Sequence, residues 1–537
     1  MNKLLSNFIF IACICLVFIN CANRGTPQGG PKDETPPKIT KSIPENYSTN
    51  FNAQEIRIYF DEYINIKNLT KQLIISPPMK TQPEITPLGG ASEYIKIKIY
   101  DTLQPNTTYA FNFGNSIVDN NEGNVFPYFR YVFSTGDYID SLTVKGNIVD
   151  AINKKAETFV SVMLYEVDST YSDSIVYKKT PKYITNTLDS VTTFSIENIK
   201  AGKYMLIALK DNNSDYKFQQ KTDKIGFYKS PIDVPTDSLY TLKLFSEDID
   251  FKPSRPKIVA GEKIEFGYEG DYKDMKIKLL NETPEDFEYA ITKDVKTDTL
   301  YYWYKPKLEL DSLLFEVTHP KVDTSLYTVR VRKMDRDSLT LKAEPSGNIG
   351  YEEDFRISGT TPIYTFDPSK INIIDKDSSQ INFTTVLDTI KNTMAFKFPK
   401  TPANEYKIRI LPEAFTGFFG KKNDTLNYAL RTASEDSYGN LRLILANASY
   451  PLIIQLTNDT GDVKYEKYIT DNKPLDFLNI TPSKYQIRII HDTNGNKKYD
   501  TGNYLKKIQP EKVSHFEIED EIRAFWSQVQ TLQFSSE

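Results

Sequence analysis

Phe194-Ser195-Ile196-Glu197-Asn198-Ile199-Lys200-Ala201-Gly202-Lys203-Tyr204, continued by Met205 to Leu209, is the stretch from which the fold can be read. Apolar and polar residues alternate at its start, a Lys-Ala-Gly turn follows, and a second apolar strand leaves the turn. Its landmarks return 281 residues later: Asn198-Ile199, Lys203-Tyr204 and Asp211 recur as Asn479-Ile480, Lys484-Tyr485 and Asp492. A repeat at that spacing predicts two copies of one β-domain with other domains between them. Outward from this pair the chain stays strand-like. Ile56-Arg57-Ile58-Tyr59-Phe60 and Ile95-Lys96-Ile97-Lys98-Ile99 alternate as half-buried strands do, and Pro, Gly or Asx residues interrupt every longer helical period. The expected class is all-β, a tandem array of β-sandwiches.

A chain of 537 residues is long enough for three to five domains, each with its own core. Tyr (35) and Phe (31) outnumber Gly (23), which favours strands over glycine-rich nucleotide loops. The formal net charge of −5 leaves no basic surplus for nucleic acid. The first 20 residues, Met-Asn-Lys followed by an apolar run from Phe8 to Ile19, read as a secretory signal too short to span a membrane. Residues 21–37, ending at Pro37, are poor in apolar side chains and rich in proline, the composition of a tether.

The boundary Phe18-Ile19-Asn20-Cys21 resembles a bacterial lipobox, with Asn20 where a small residue is usual. The resemblance implies a lipidated Cys21 and durable membrane attachment by several acyl chains; the place expected for the protein is the outer membrane, on its cell-surface face in preference to its periplasmic face. The other cysteines, Cys13 and Cys15, fall within the leader, so the mature domains have no thiol for disulfides, zinc or catalysis.

A Pro start, the Ile-x-Ile-x-Phe strand at 56–60, Leu103-Gln104-Pro105-Asn106-Thr107-Thr108-Tyr109 and Phe133-Ser134-Thr135-Gly136 together resemble the S-layer-type bacterial Ig-like domain, over residues 38–136. That family implies spacer and presentation modules without catalytic residues. Residues 137–250 resemble a transthyretin-like (carboxypeptidase-regulatory-like) sandwich, and 434–537 repeat it. Residues 346–433 echo the Ig-like unit at Ile408-Arg409-Ile410-Leu411-Pro412, and 251–345 form a β-unit of unassigned type.

Chemistry is sparse. The three histidines, His319, His491 and His515, are far apart in sequence; His319 sits at a strand end and His515 in an exposed alternating stretch. No nucleotide loop, nucleophile elbow or His-Glu-x-x-His pattern occurs. The expectation is a protein that is not an enzyme and needs no cofactor. The loop Asp492-Thr493-Asn494-Gly495-Asn496 to Asp500 places side-chain oxygens at relative positions 1, 3, 5 and 9, the alternation a calcium ion requires. Asp211, Asn213 and Asp215 keep the first three positions in the earlier copy, and Asx turns account for either loop without metal.

Asp followed by Ser or Thr and an aliphatic residue occurs ten times, where composition gives roughly two. The triplet makes a good turn into a strand. It also resembles the acceptor of periplasmic O-glycosylation, which implies Thr102, Ser141, Ser174, Ser190, Ser238, Thr299, Ser312, Ser338, Thr389 and Thr425 as candidates. The aromatic tail around Phe525, Trp526, Val529, Leu532 and Phe534 reads as a last strand or as a docking strand for a partner. The function expected is an accessory interaction subunit of an outer-membrane complex for assembly, export or uptake, its partner a β-barrel or another lipoprotein, with no nucleic acid or nucleotide. The alternative is a surface adhesin or glycan-binding protein.

Overall fold

The computed structural model describes residues 32–188 and 191–534. Their strands fall into five consecutive units, each of two facing sheets closing on its own apolar interior, with a further two-stranded ribbon, Ile363–Phe366 and Phe415–Gly417, in the fourth. In the first unit Glu55–Ile66 pairs with Ser92–Lys98, so that Ile56, Ile58, Ile95 and Ile97 point inward. Thr108–Asn112 and Arg130–Ser134 supply Tyr109, Phe111 and Phe133 from the opposing sheet. The alternating residues Arg57, Lys96 and Lys98 face out, as the two-residue period demands.

The second and last units share one topology. In the second, Leu142–Asp150 lies between Thr193–Ile199 and a parallel final strand, Leu239–Leu244. In the last, Gly439–Ala446 lies between Leu475–Ile480 and its own parallel final strand, Ser527–Gln533. The opposing sheets, five-stranded in the second unit and four-stranded in the last, correspond at their centres: Ser161–Glu166 beside Gly202–Lys210, and Leu452–Thr457 beside Gln486–His491. Phe194 stands opposite Gly146 as Leu475 stands opposite Leu443, so the sequence repeat is a repeat of fold.

Between these copies lie the third unit (Lys263–Glu269, Thr299–Lys305 and Ser312–His319 at its centre) and the fourth (Phe355–Gly359, Thr393–Lys397, Glu405–Ile410 and Leu426–Arg431). One boundary moves. Leu341–Glu344 pairs with Phe355–Gly359, and Leu341 and Ala343 pack on the fourth interior. The fourth unit therefore begins ahead of residue 346, because a strand hydrogen-bonded into a sheet belongs to that sheet.

Two strands depart from alternation. Gly202–Lys210 buries Tyr204 through Leu209 without a break, and Ser161–Glu166 buries Ser161 through Tyr165. Val162, Leu164, Leu206 and Ala208 face the sandwich interior, while Met163, Tyr165, Ile207 and Leu209 belong to a second apolar cluster on the outer face. A sheet that is apolar on both faces needs a cover on each. Here Tyr504, from the last unit, belongs to that outer cluster.

Candidate functional site

The cover is the loop that leads from Gln486–His491 to Val513–Glu517 in the last unit. Its first half is the Asp/Asn stretch. Asp492 is fully buried; its Oδ1 accepts the Asn496 N–H (3.1 Å) and its Oδ2 accepts that of Lys497 (2.9 Å). Asn494 and Asn496 turn their amides onto Asp500 Oδ2, Asn496 at 2.8 Å. Glu511, which the sequence pattern does not mark, closes the loop by accepting the N–H groups of Thr493 (2.9 Å) and Asp500 (3.1 Å). Asp492, Asn494, Asn496 and Asp500 are thus brought into one loop, with the Asp492 carboxylate engaged by backbone donors in an Asx-type turn.

The earlier copy follows the same plan. Asp211 accepts from Asn213 N (3.0 Å), Ser214 N (2.7 Å) and Tyr216 N (2.7 Å), and Asp215 accepts from the Gln219 amide (3.0 Å). Burial raises the Asp211 pKa although the backbone N–H groups oppose it. Asp223 plays the part of Glu511, accepting from Gln219 N at 2.8 Å. Among the described residues no three His, Cys, Asp or Glu side chains stand together as a metal-ligand set.

The second half of the late loop is a plug. Tyr504 is fully buried, its ring 5.3 Å from Phe227 in an edge-on contact, and its hydroxyl lies 3.5 Å from that of Tyr171. Its backbone N–H donates to Glu247, whose pKa burial raises and that N–H opposes. Lys507 lies 4.1 Å from the Tyr504 ring centroid and pairs with Asp173 at 2.7 Å. Gln509 donates to the Phe227 carbonyl at 3.0 Å. Gly502 sits so close to Phe245 that a Cβ there would come within 2.6 Å of the ring, which is why no larger residue fits.

Next to the plug, Arg488 is buried and donates to Gln455 (2.6 Å) and to Asn153 of the second unit (3.3 Å). A cleft of about 450 Å³ opens beside it, with Asp150, Asn153, Lys154, Lys243, Glu511 and His515 in its lining. His515 is half-buried here rather than exposed, because its strand is an edge of the sheet that meets the second unit. Burial lowers its pKa, and Arg488 and Lys154 lower it further. His491 shares its Nε2 with Ser514 Oγ at 3.0 Å, and His319 is buried, stacked 3.8 Å from Phe251.

Cys21 and Ser190 lie outside the described residues. Of the other hydroxyl candidates, Thr102, Ser141, Ser238, Ser338, Thr389 and Thr425 are exposed, and Ser174 and Ser312 are half-buried. Thr299 is buried at the start of Thr299–Lys305 and is removed as an acceptor, since an enzyme could not reach its hydroxyl in the folded chain. The tail is the last strand of its unit from Ser527 to Gln533, with Leu532 in the core.

Residues 33–135 match the family described as bacterial Ig-like domain, so the first unit is a domain of that kind. No curated protein matches the chain. Among solved structures, the chain is similar to the S-layer protein rSbsC (12% identity over 91% of this chain and 68% of that one, TM-score 0.16). It is also similar to SGBP-B of the Bacteroides ovatus mixed-linkage glucan utilization locus, solved with a mixed-linkage heptasaccharide (12%, 83% and 99%, TM-score 0.18). The Bacillus anthracis TIE protein is a third likeness (10%, 94% and 76%, TM-score 0.14). Scores this low carry over neither an arrangement nor an activity.

Proposed function

We propose that this is a non-enzymatic lipoprotein of the outer membrane, held through Cys21, that serves as an accessory subunit of an outer-membrane protein complex. Its partner in this reading is a β-barrel of the assembly, export or uptake machinery, or another lipoprotein. The observation that supports it is the Tyr504 plug. A string of sandwiches joined only by linkers would present each surface independently, whereas a last unit seated on the second keeps distant faces in register. Fixed spacing is what a scaffold for a large partner needs. No helix among the described residues is long and apolar enough to cross a membrane.

The adhesin or glycan-binding reading has one observation of its own. Tyr59 and Tyr94 stand 5.4 Å apart on the outer face of the first unit, with Lys41 and Arg57 over their rings. Affinity purification of the native protein from detergent-solubilised membranes separates the two. Recovery of a stoichiometric barrel or lipoprotein supports the first reading; a monomer that binds polysaccharide supports the second. Cys21→Ser is expected to shift the protein almost wholly from the membrane pellet to the soluble fraction. Retention of the variant in the pellet after a high-salt wash would remove the lipid anchor from this account.

A further inference from the structure

The repeat supplies an internal control for the outer face of the last unit's three-stranded sheet. By register, Ile444 stands where the second unit has Asn147, and Leu478 where it has Glu197. Val529 corresponds to Leu239, the one position apolar and exposed in both copies. Counted to the register-equivalent positions Leu239 and Val529, the last unit has two more residues: Pro235–Ser238 follows the Gly202–Val234 pairing, whereas Arg523–Gln528 follows the Ser483–Ile522 bridge, its last two residues already paired in the strand. That longer connector carries Phe525 and Trp526, which are 85% and 43% exposed. Phe525 has φ 60, a left-handed conformation unfavourable for a bulky side chain, and its N–H is tied to the Tyr438 carbonyl at 2.9 Å. The last copy therefore holds the Phe525 ring in solvent on a constrained backbone, with Trp526 beside it partly covered by the Arg523 guanidinium (5.2 Å from the ring centroid), on a face that is mostly polar in its twin.

Two further features indicate what would cover them. Ser527–Gln533 is the terminal strand of its sheet, paired only with Gly439–Ala446 among the described residues. The bend beside it, whose Glu517 and Asp520 carbonyls accept from Gln530 (2.8 Å) and Gln528 (3.5 Å), exposes Glu519, Asp520 and Glu521. An unpaired edge asks for backbone donors and acceptors, the aromatic rings for apolar side chains, and the acidic bend for cations. From these we infer that the edge of Ser527–Gln533 is a docking site for an extended segment of a partner protein. In that segment apolar residues alternate with Lys or Arg, so that one set covers Phe525, Trp526 and Val529 while the other meets the acidic bend.

This inference rests on the accessory-subunit reading and specifies the surface used. Its test takes the full mature protein and a synthetic peptide of alternating valine and lysine, followed by fluorescence anisotropy. Wild type is expected to bind it, and to bind at least about tenfold more weakly when glutamate replaces lysine, when the peptide backbone is N-methylated along one edge, or in the double variant F525S/W526S. The Glu519→Lys/Glu521→Lys variant tests the charge without touching the rings and is expected to reverse the lysine preference. Equal binding to both peptides, or unchanged binding by F525S/W526S, would overturn the site. So would self-association lost in F525S/W526S, or binding of that face to phosphatidylglycerol vesicles but not to the peptide. If F525S/W526S still recovers the membrane partner that wild type recovers, the docking site is wrong and the function stands. If wild type recovers none, the function itself is wrong.

Discussion

Tyr504→Ala is expected to free the last unit from the second without unfolding either. Truncating a buried aromatic side chain costs about 3–5 kcal/mol, and Tyr504 is buried in the outer cluster of the second unit rather than in its own sandwich interior. Most of that loss should fall on the docking equilibrium, shifting it by on the order of 10²-fold or more. Each unit keeps its own core, so the far-ultraviolet spectrum should barely change. The radius of gyration in solution scattering should rise, and proteases should cut within residues 501–512, which the plug now shields. Gly502→Ala is a second route to the same outcome, because the added methyl meets Phe245 and the Ile508 carbonyl. Lys507→Ala should do far less: its pair with Asp173 is partly exposed, and such pairs contribute about 0–1 kcal/mol. An unchanged scattering profile for both Tyr504→Ala and Gly502→Ala would mean that the remaining seam contacts hold the units together unaided.

The sandwiches were legible because alternation and turn chemistry are local. Ile56 to Phe60 announces a half-buried strand whatever surrounds it, and the recurrence of Asn198-Ile199 at Asn479-Ile480 announces a second copy. The start of the fourth unit was less legible, since Leu341–Glu344 becomes part of a sheet only through a partner beyond the turn. The seam has no local signature of its own, because it joins residues nearly three hundred positions apart through a loop with no strand pattern. Two signals did point to it. Met205-Leu206-Ile207-Ala208-Leu209 is apolar at consecutive positions, which a one-sided sheet cannot use. The loop between corresponding strands runs over Asp211–Asp223 in the second unit and over the longer Asp492–Lys512 in the last, and that longer loop carries the plug. His515 departs from the exposure its alternating stretch predicts for the same reason: the edge of its strand meets another unit.

Asp492→Ala is expected to have the second large effect, and it separates the loop's shape from its ion chemistry. The carboxylate accepts two backbone N–H groups while fully buried, and hydrogen bonds to a charged group contribute about 1.5–3 kcal/mol each. Losing both should destabilise the loop by about 3 kcal/mol and, since residues 501–509 continue it, loosen the seam as well. A lower first melting transition and faster cleavage near residue 497 would report this. An Asx turn and a calcium loop both need Asp492, so that variant cannot tell them apart; Asp500→Asn can. Among the described residues Asp500 Oδ2 accepts the amides of Asn494 and Asn496, and an amide at 500 keeps an acceptor there, so its fold should survive. We propose calcium as a ligand of this loop, with Asp492, Asn494, Asn496 and Asp500 supplying oxygen. Millimolar calcium, the range of extracellular modules, should then raise the first transition of the wild-type protein. Binding adds about 2.7 kcal/mol at a hundredfold excess over the dissociation constant, and the gain should vanish in Asp500→Asn. A transition that stays level from chelator to millimolar calcium would leave the loop as an Asx turn whose work is to aim Tyr504 at the second unit, and the weaker copy at Asp211, Asn213 and Asp215 would lose its claim to metal with it.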